Sequence, residues 1–244
     1  MISIKLSKDV NLKGYGLIEA FPGAGLVGSM SGSYIIEKLK MDYIGHIESD
    51  LFPPIATIHN GLPMFPARLY KDDNTKTVLI ISEFTIPPDA IYQLSMELLN
   101  FIRKYGISRI VSISGMPAQK PTNNVYIASP DAATIKKAGS VGIKPIAEGV
   151  IAGISAILMT SADQFKIPMM NLLVEVNPTV MDPRYAELAI AGLNKIMNMN
   201  IDLDDLEKEA KLVEAKIRSL TKKVRDTNET LSGSAPDQGP SMYA

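Results

Sequence analysis

The fold of this chain is decided near its N-terminus, by the stretch Gly16-Leu17-Ile18-Glu19-Ala20-Phe21-Pro22-Gly23-Ala24-Gly25-Leu26-Val27-Gly28. Residues 16–21 form a short apolar run that ends at Pro22-Gly23, and residues 26–39 follow with apolar side chains at helical spacing. This order predicts a strand, a glycine turn and a helix. Such a unit is typical of an α/β domain.

Outward from this unit, predicted strands alternate with predicted helices. Strands are predicted at 43–47, 67–70, 77–82, 109–114, 124–128 and 172–176. Helices are predicted at 87–105, 132–138, 153–165 and 183–197. The segment with Pro53-Pro54 and Gly61-Leu62-Pro63 indicates an excursion rather than an element interior. The alternation predicts an α/β fold, a three-layer α/β/α sandwich with a mostly parallel sheet, and we expect residues 1–200 to form one core domain.

Charge and composition narrow the classes of partner. The 25 Lys and Arg residues nearly balance the 26 Asp and Glu residues, so no nucleic-acid partner is expected. The chain has no cysteine, which excludes disulfides and thiolate chemistry and fits a reducing cytoplasm. The longest apolar stretch, at 150–159, is about half of the ~20 residues that a membrane helix needs, and residues 1–10 do not resemble a signal peptide. We therefore expect a cytoplasmic protein with no membrane partner.

The chain changes character after residue 200. Apolar residues then recur in steps that alternate three and four, which is a heptad seam. The residues of this seam are Leu203, Leu206, Ala210, Val213, Ile217, Leu220 and Val224. We predict a C-terminal helix at 201–231, and two interpretations stay open. The helix packs on its own domain, or it self-associates through Leu206, Val213, Ile217, Leu220 and Val224.

The last residues, 232–244, have the composition of a flexible linker followed by Met242-Tyr243-Ala244. A tyrosine ring beside an apolar side chain and a terminal carboxylate, held on a mobile tether, is suited to docking into another protein. The alternative is that so short a motif arises by chance. We predict a flexible tail whose docking residues are Met242, Tyr243 and Ala244.

The glycines at 23, 25 and 28 also match the G-x-G-x-x-G pattern of a dinucleotide-binding loop. Glu48 lies twenty residues beyond Gly28, where such a site places an acid for the ribose. Pro22 argues against this interpretation, and glycines also allow a helix to pack closely on a sheet. A nucleotide-binding or nucleoside-processing α/β enzyme that uses the Gly23–Gly28 loop therefore remains the alternative function.

Candidates for catalysis are few. The two histidines, His46 and His59, are isolated in the sequence, and the surroundings of Ser155 lack the second glycine of a nucleophile elbow. Glu83, Asp89 and Asp131 follow or flank predicted strands, as acids do in any α/β protein. No catalytic residue, metal site or cofactor is predicted, and we expect the chain not to be an enzyme.

Several of these stretches together resemble the proteasome assembly chaperone family. The resemblance covers about residues 12–220, and its most specific part is the opening from Phe21 to Gly28. The other stretches that carry it are Pro53-Pro54, Gly61-Leu62-Pro63, Pro66-Ala67-Arg68, Gly115, and Glu148-Gly149 running into Gly153. The C-terminal Met242-Tyr243-Ala244 is similar to the hydrophobic-tyrosine-any (HbYX) motif of proteasome activators, which archaeal members of the family carry.

The resemblance implies an α/β/α fold similar to purine nucleoside phosphorylases but without their activity. It implies homo-oligomers, from trimer to pentamer with a tetramer favoured, that dock on the α-subunits of a 20S proteasome. Met242 and Tyr243 would pack in the groove between two α-subunits, and Ala244 would offer its carboxylate to a lysine. The glycine loop would be a structural turn, and no cofactor is implied.

Overall fold

The computed structural model describes residues 1–178, 180 and 182–206, and these form a layered α/β structure. Its strands are β1 (Ile2–Leu6), β2 (Gly16–Ala20), β3 (Asp42–Ser49), β4 (Thr57–His59), β5 (Leu62–Met64), β6 (Ala67–Asp72), β7 (Thr77–Ser82), β8 (Arg109–Pro117), β9 (Val125–Ala128), β10 (Lys144–Pro145) and β11 (Met169–Val176). Nine of them form one sheet in the order β1-β3-β6-β7-β2-β8-β11-β9-β10. The other two, β4 and β5, form a separate hairpin.

The centre of the sheet is parallel. Strand β2 pairs in parallel with β7 on one side and with β8 on the other, and β8 pairs in parallel with β11. Antiparallel pairs flank this centre, with β6, β3 and β1 beyond β7 and with β9 beyond β11. The carboxyl ends of β7, β2, β8 and β11 therefore lie along one edge of the sheet, where open α/β sheets form their binding crevices.

Helices cover both faces of the sheet. They are α1 (Val27–Lys38), α2 (Pro88–Tyr105), α3 (Ala132–Ser140), α4 (Ile154–Ala162) and α5 (Pro183–Met197). One core contains buried side chains of α1, α3 and α5, and the other contains those of α2 and α4. The predicted three-layer α/β/α fold class is confirmed. All six residues of β7 are buried because helices lie on both sides of it, which explains its unbroken run Thr-Val-Leu-Ile-Ile-Ser.

Some elements went unpredicted. Strand β1 lies within the first ten residues and pairs with β3 at the edge of the sheet. The Pro- and Gly-punctuated excursion contains the β4–β5 hairpin, and β10 is only two residues long. These three features share a cause. Short or edge strands carry little local hydrophobic signal, so their pairing is set by partners that are distant in sequence.

The segment 201–206 packs on its own domain. Ile201 and Leu206 are buried in the first core, and Tyr34 of α1 donates a hydrogen bond to the carbonyl of Asp202 at 2.7 Å. Leu206 is one of the residues predicted to take part in self-association. Its side chain is 2% exposed and packs in the first core of its own chain, and its part in self-association stays a prediction. The remaining seam residues, Val213, Ile217, Leu220 and Val224, lie outside the described residues.

Candidate functional site

The glycine turn between β2 and α1 is a tight structural element. Residues Ala24–Leu26 form one short 3-10 turn, in which Gly25 and Leu26 both have positive φ, at 63° and 53°. The amide of Leu26 donates to the carbonyl of Gly23 at 3.0 Å, and α1 begins at Val27. The backbone thus reverses within a few residues and brings the first turn of α1 against the sheet.

Two glycines make this close approach possible. A Cβ on Gly28 would lie 2.6 Å from the carbonyl oxygen of Phe21 and 2.8 Å from that of Ile113. A Cβ on Gly115, at the end of β8, would lie 2.1 Å from the carbonyl oxygen of Ala24. Both contacts are with backbone atoms, which cannot rotate away. The glycines therefore serve the packing of the turn between β2 and β8.

The acid expected for a dinucleotide site is far from this turn. Glu48 lies on β3, and the sheet order places β6 and β7 between β3 and β2. Three strand spacings of about 4.8 Å separate β3 from β2 by roughly 14 Å. Glu48 instead lies 3.0 Å from the Nε2 atom of His46. The glycines and the acid match the Rossmann pattern in sequence, but the topology does not bring them together.

A cavity of about 690 Å³ lies beside the turn, at the carboxyl ends of the parallel strands. Its walls come from the glycine turn, from the ends of β2 and β8, from the segment after β7, and from the loop that enters α4. The cavity brings together stretches that the sequence analysis had singled out separately. These stretches are Phe21–Gly28, Gly115, Glu148-Gly149 and Gly153.

Glu19 is the buried carboxylate of this cavity. Its side chain on β2 is held by the Phe21 amide, which donates to Oε1 at 3.1 Å, and by the Ser155 hydroxyl, which donates to Oε2 at 2.9 Å. Ser114 Oγ lies 3.4 Å from Ser155 Oγ. Burial raises the pKa of Glu19 above its usual value, while the hydrogen bonds from the Phe21 amide and the Ser155 hydroxyl act in the opposite direction.

The charged side chains that line the cavity, among the described residues, are all acidic. Among the described residues that line it, none is Lys, Arg or His, whereas Glu19 and Glu148 are acids. Backbone amides bind phosphate groups, and cationic side chains commonly strengthen the contact. The lining therefore gives no support to a phosphate-binding role for the glycine loop.

A second buried carboxylate, Glu83, lies in a different environment after β7. The guanidinium of Arg68, itself 3% exposed, donates to Glu83 Oε1 at 2.7 Å, and His59 Nε2 lies 2.8 Å from the same oxygen. Arg68 also donates to Thr57 Oγ1 at 3.0 Å, to the Phe65 carbonyl at 2.8 Å and to the hydroxyl of Tyr70 at 2.8 Å. This Arg68 network ties the β4–β5 hairpin to the sheet.

The hairpin that the network anchors carries apolar side chains on its surface. Ile58 is 61% exposed, Leu62 is 67% exposed, and Phe65 is 44% exposed. The ring of Phe65 stacks on His46, with 3.6 Å between the ring centroids. The two histidines thus take part in ring stacking and in a contact with Glu83 at the hairpin, away from the cavity.

The other acids noted in the sequence have structural surroundings. Asp131 caps α3 by accepting hydrogen bonds from the amides of Ala133 and Thr134. The Thr134 hydroxyl also donates to it, and this bond lowers the pKa of Asp131 most, followed by the two amide bonds. Asp89 lies in the first turn of α2. Glu19 was not singled out, because a single acid within an apolar strand does not reveal its partners. Its link to Ser155, 136 residues away, exists only in the folded chain.

The predicted docking residues Met242, Tyr243 and Ala244 lie outside the described residues and stay predictions. Within residues 1–178, 180 and 182–206, no group of three or more His, Cys, Asp or Glu side chains has the arrangement of a metal site. In the same part of the chain, no helix has the length and apolar character that a membrane crossing requires.

Comparison with known proteins gives relatives over most of the chain. The uncharacterized protein MJ0106 of Methanocaldococcus jannaschii is 31% identical over 204 residues, 84% of each chain. PbaA of Pyrococcus furiosus, an archaeal homolog of proteasome-assembly chaperone, is 28% identical with a TM-score of 0.82, covering 93% of this chain and 100% of PbaA. PbaB of the same organism, an archaeal proteasome activator, shares the fold with a TM-score of 0.75 at 20% identity, covering 90% of this chain and 98% of PbaB.

A protein-family model also matches most of the chain. It matches residues 17–221, a range that begins within β2 and includes every stretch that lines the cavity and the Arg68 network. The chain belongs to the PAC2 family.

Proposed function

We propose that this chain is an assembly chaperone or activator-like protein of a 20S proteasome in the cytoplasm. The observation that carries the proposal is the likeness to PbaA, which covers 93% of this chain at 28% identity. PbaA is described as an archaeal homolog of proteasome-assembly chaperone. We place the contact with the proteasome in Met242-Tyr243-Ala244, in pockets between neighbouring α-subunits.

The chemistry of the three residues suits such a pocket. The tyrosine ring buries a large apolar surface while its hydroxyl keeps a polar partner, and Met242 adds a flexible apolar side chain. The proposal places a terminal carboxylate on Ala244, where a pocket lysine can pair with it. An ordinary polar terminus lacks the apolar side chain, the tyrosine ring and the paired carboxylate that such a pocket would bind together.

One tail of three residues binds weakly, so the proposal includes a homo-oligomer that presents several tails. We propose a trimer to pentamer, with a tetramer favoured. Linked tails raise the effective concentration of the second and later contacts, and avidity can gain about 10²–10⁴ over a single site. The apolar seam residues Val213, Ile217, Leu220 and Val224 are the proposed self-association surface.

We propose a binding role rather than a catalytic one. The two histidines of the chain support it, because His46 stacks on Phe65 and His59 pairs with Glu83, and neither lines the cavity. The nucleotide alternative loses its main argument, because Glu48 lies three strands from the glycine turn.

A pull-down with purified 20S particles tests the proposal. The intact chain is expected to retain the particles, whereas a chain that ends at residue 241 and the variant Tyr243→Ala are expected to lose them. Tyr92→Ala is the matched control, because Tyr92 is a tyrosine 64% exposed on α2. A variant with one glycine added after Ala244 tests the carboxylate and is expected to bind poorly.

One result of the pull-down would contradict the proposal. Retention of 20S particles by the truncated chain at the level of the intact chain would place the contact elsewhere. Size-exclusion chromatography with light scattering shows whether each variant keeps the oligomeric state, so that a lost oligomer is not mistaken for a lost docking motif.

A further inference from the structure

We propose that the cavity beside the glycine turn binds a small ring compound, uncharged or cationic, whose N–H groups donate to Glu19. This site is separate from the proposed docking tail and does not depend on the proteasome role. Its residues are described by the structure, whereas the tail lies outside the described residues.

The size and walls of the cavity fit such a molecule. Its volume of about 690 Å³ lies within the ~300–1,000 Å³ of pockets that hold small ligands. Apolar side chains form most of the wall, among them Phe21, Ile86 and Ile113. Val150 lines the same cavity and is 95% exposed, so its apolar side chain faces solvent at the cavity entrance. An apolar ring would bury this surface.

Glu19 has acceptor capacity left for a ligand. A carboxylate offers roughly four lone-pair sites. The Phe21 amide and the Ser155 hydroxyl use two of them. At least one site remains on a side chain that lines the cavity and is only 3% exposed.

The charge of Glu19 is not neutralised within the cavity. No cationic side chain is among the described residues that line it, and a buried carboxylate without a cation is costly. An N–H donor from a ligand supplies the missing partner. An amidine supplies a cationic donor and an amide a neutral one, at an acceptor site that the Phe21 amide and the Ser155 hydroxyl leave open.

The same features disfavour an anionic ligand. The N-terminus of α4 would attract negative charge, but Ser155 in its first turn already binds Glu19, which supplies that charge. A second anion would face Glu19 and Glu148 with no lysine or arginine in the described wall. Nucleotides and other phosphate esters are thus the wrong class for this cavity.

A matched series of probes tests the inference on the intact protein. Benzamidine, benzamide and benzoate share one ring and differ in the group that would meet Glu19. Titration is followed by the methyl NMR signals of Ile86, Ile113 and Ile154, which line the cavity. Benzamidine and benzamide are expected to give saturable shifts, and benzoate is expected to bind at least about tenfold more weakly.

Two variants assign the contact. Glu19→Gln is expected to weaken benzamidine at least about tenfold, because the charged acceptor is lost. Glu48→Gln removes a carboxylate three strands away and is expected to leave the titration unchanged. The spectrum of each variant also reports whether it is folded.

Three results would overturn the inference. These are benzoate binding as tightly as benzamidine, unchanged methyl signals with all three probes, and unchanged benzamidine binding in a folded Glu19→Gln variant. If that variant does not fold, the order of the three probes on the unmodified protein decides the question by itself. Loss of proteasome binding in the tail variants has no bearing on any of these results.

Discussion

Two of the buried carboxylates, Glu19 and Glu83, are similarly buried but have different surroundings. Glu19 is 3% exposed and Glu83 is 7% exposed. Glu83 receives the guanidinium of Arg68 and lies against His59, so its negative charge has cationic or titratable partners. Glu19 receives only neutral donors, the Phe21 amide and the Ser155 hydroxyl, and it borders a cavity.

The difference separates a structural carboxylate from a candidate binding group. Arg68 has four hydrogen-bond partners, which are Glu83, Tyr70 of β6, Thr57 of the hairpin and the Phe65 carbonyl that follows it, and this fixes one arrangement of the chain. Glu19 fixes little beyond the turn and the start of α4, and a hydrogen-bonding capacity remains on its cavity side. Burial alone does not identify a functional acid; the kind of partner does.

Removing the cation from the Glu83 pair should have the largest effect. Arg68→Ala leaves a buried carboxylate without its partner and unties the hairpin, and we expect a loss of about 3–5 kcal/mol in the free energy of unfolding. Urea denaturation measures it. A loss below about 1 kcal/mol would mean that the network is not a structural unit.

Substitution of Gly28, in the first turn of α1 next to the Glu19 cavity, should have the next largest effect on stability. Gly28→Ala brings a Cβ to 2.6 Å from the Phe21 carbonyl, and we expect about 1–3 kcal/mol of destabilisation from the forced shift. Gly23→Ala is the matched control, because its Cβ meets no atom within 4 Å. Thermal unfolding of the two variants compares them, and equal melting temperatures would remove the packing role of Gly28.

A smaller effect is expected from the charge of Glu19 itself. Its pKa is raised by burial, so the folded protein holds the proton more tightly than the unfolded chain, whose value is about 4.3. The contribution of Glu19 to stability is therefore full below that pH and is lost as the pH rises through the raised pKa.

Glu19→Gln should remove this dependence. The difference in unfolding free energy between the variant and the unmodified protein is expected to move in favour of the variant as the pH rises above about 4. Urea unfolding at a series of pH values gives the difference directly. A difference that stays constant with pH would show that Glu19 ionises as easily in the folded protein as in the unfolded chain.

Local patterns in the sequence predicted the fold well where residues lie next to each other. The apolar run of β7 and the helical spacing of α2, which ends at Gly106, are complete within short windows, and both elements were found as expected. The glycine pattern was harder to interpret. It matches both a nucleotide loop and a packing turn, Pro22 favours the packing turn, and the strand order separates the two because it places Glu48 far from the turn.

The candidate site depended on contacts across the chain. Glu19 looks like a solitary acid in an apolar strand, and its bond to Ser155 spans 136 positions. The pairing of Arg68 with Glu83 follows from the register of β6 with β7, where Arg68 lies opposite Ile81. No periodicity within either segment predicts these partners, because tertiary packing alone brings them together.

Binding to the 20S proteasome tests the central claim most directly. Among the variants discussed, Tyr243→Ala is expected to change the free energy of unfolding least. Immobilised 20S particles and biolayer interferometry give the Kd of the unmodified chain, Tyr243→Ala and Glu19→Gln. We predict that Tyr243→Ala raises the Kd by about 100-fold or more, through loss of every linked tail, and that Glu19→Gln leaves it within about twofold. A Tyr243→Ala variant that binds as tightly as the unmodified chain would contradict the account.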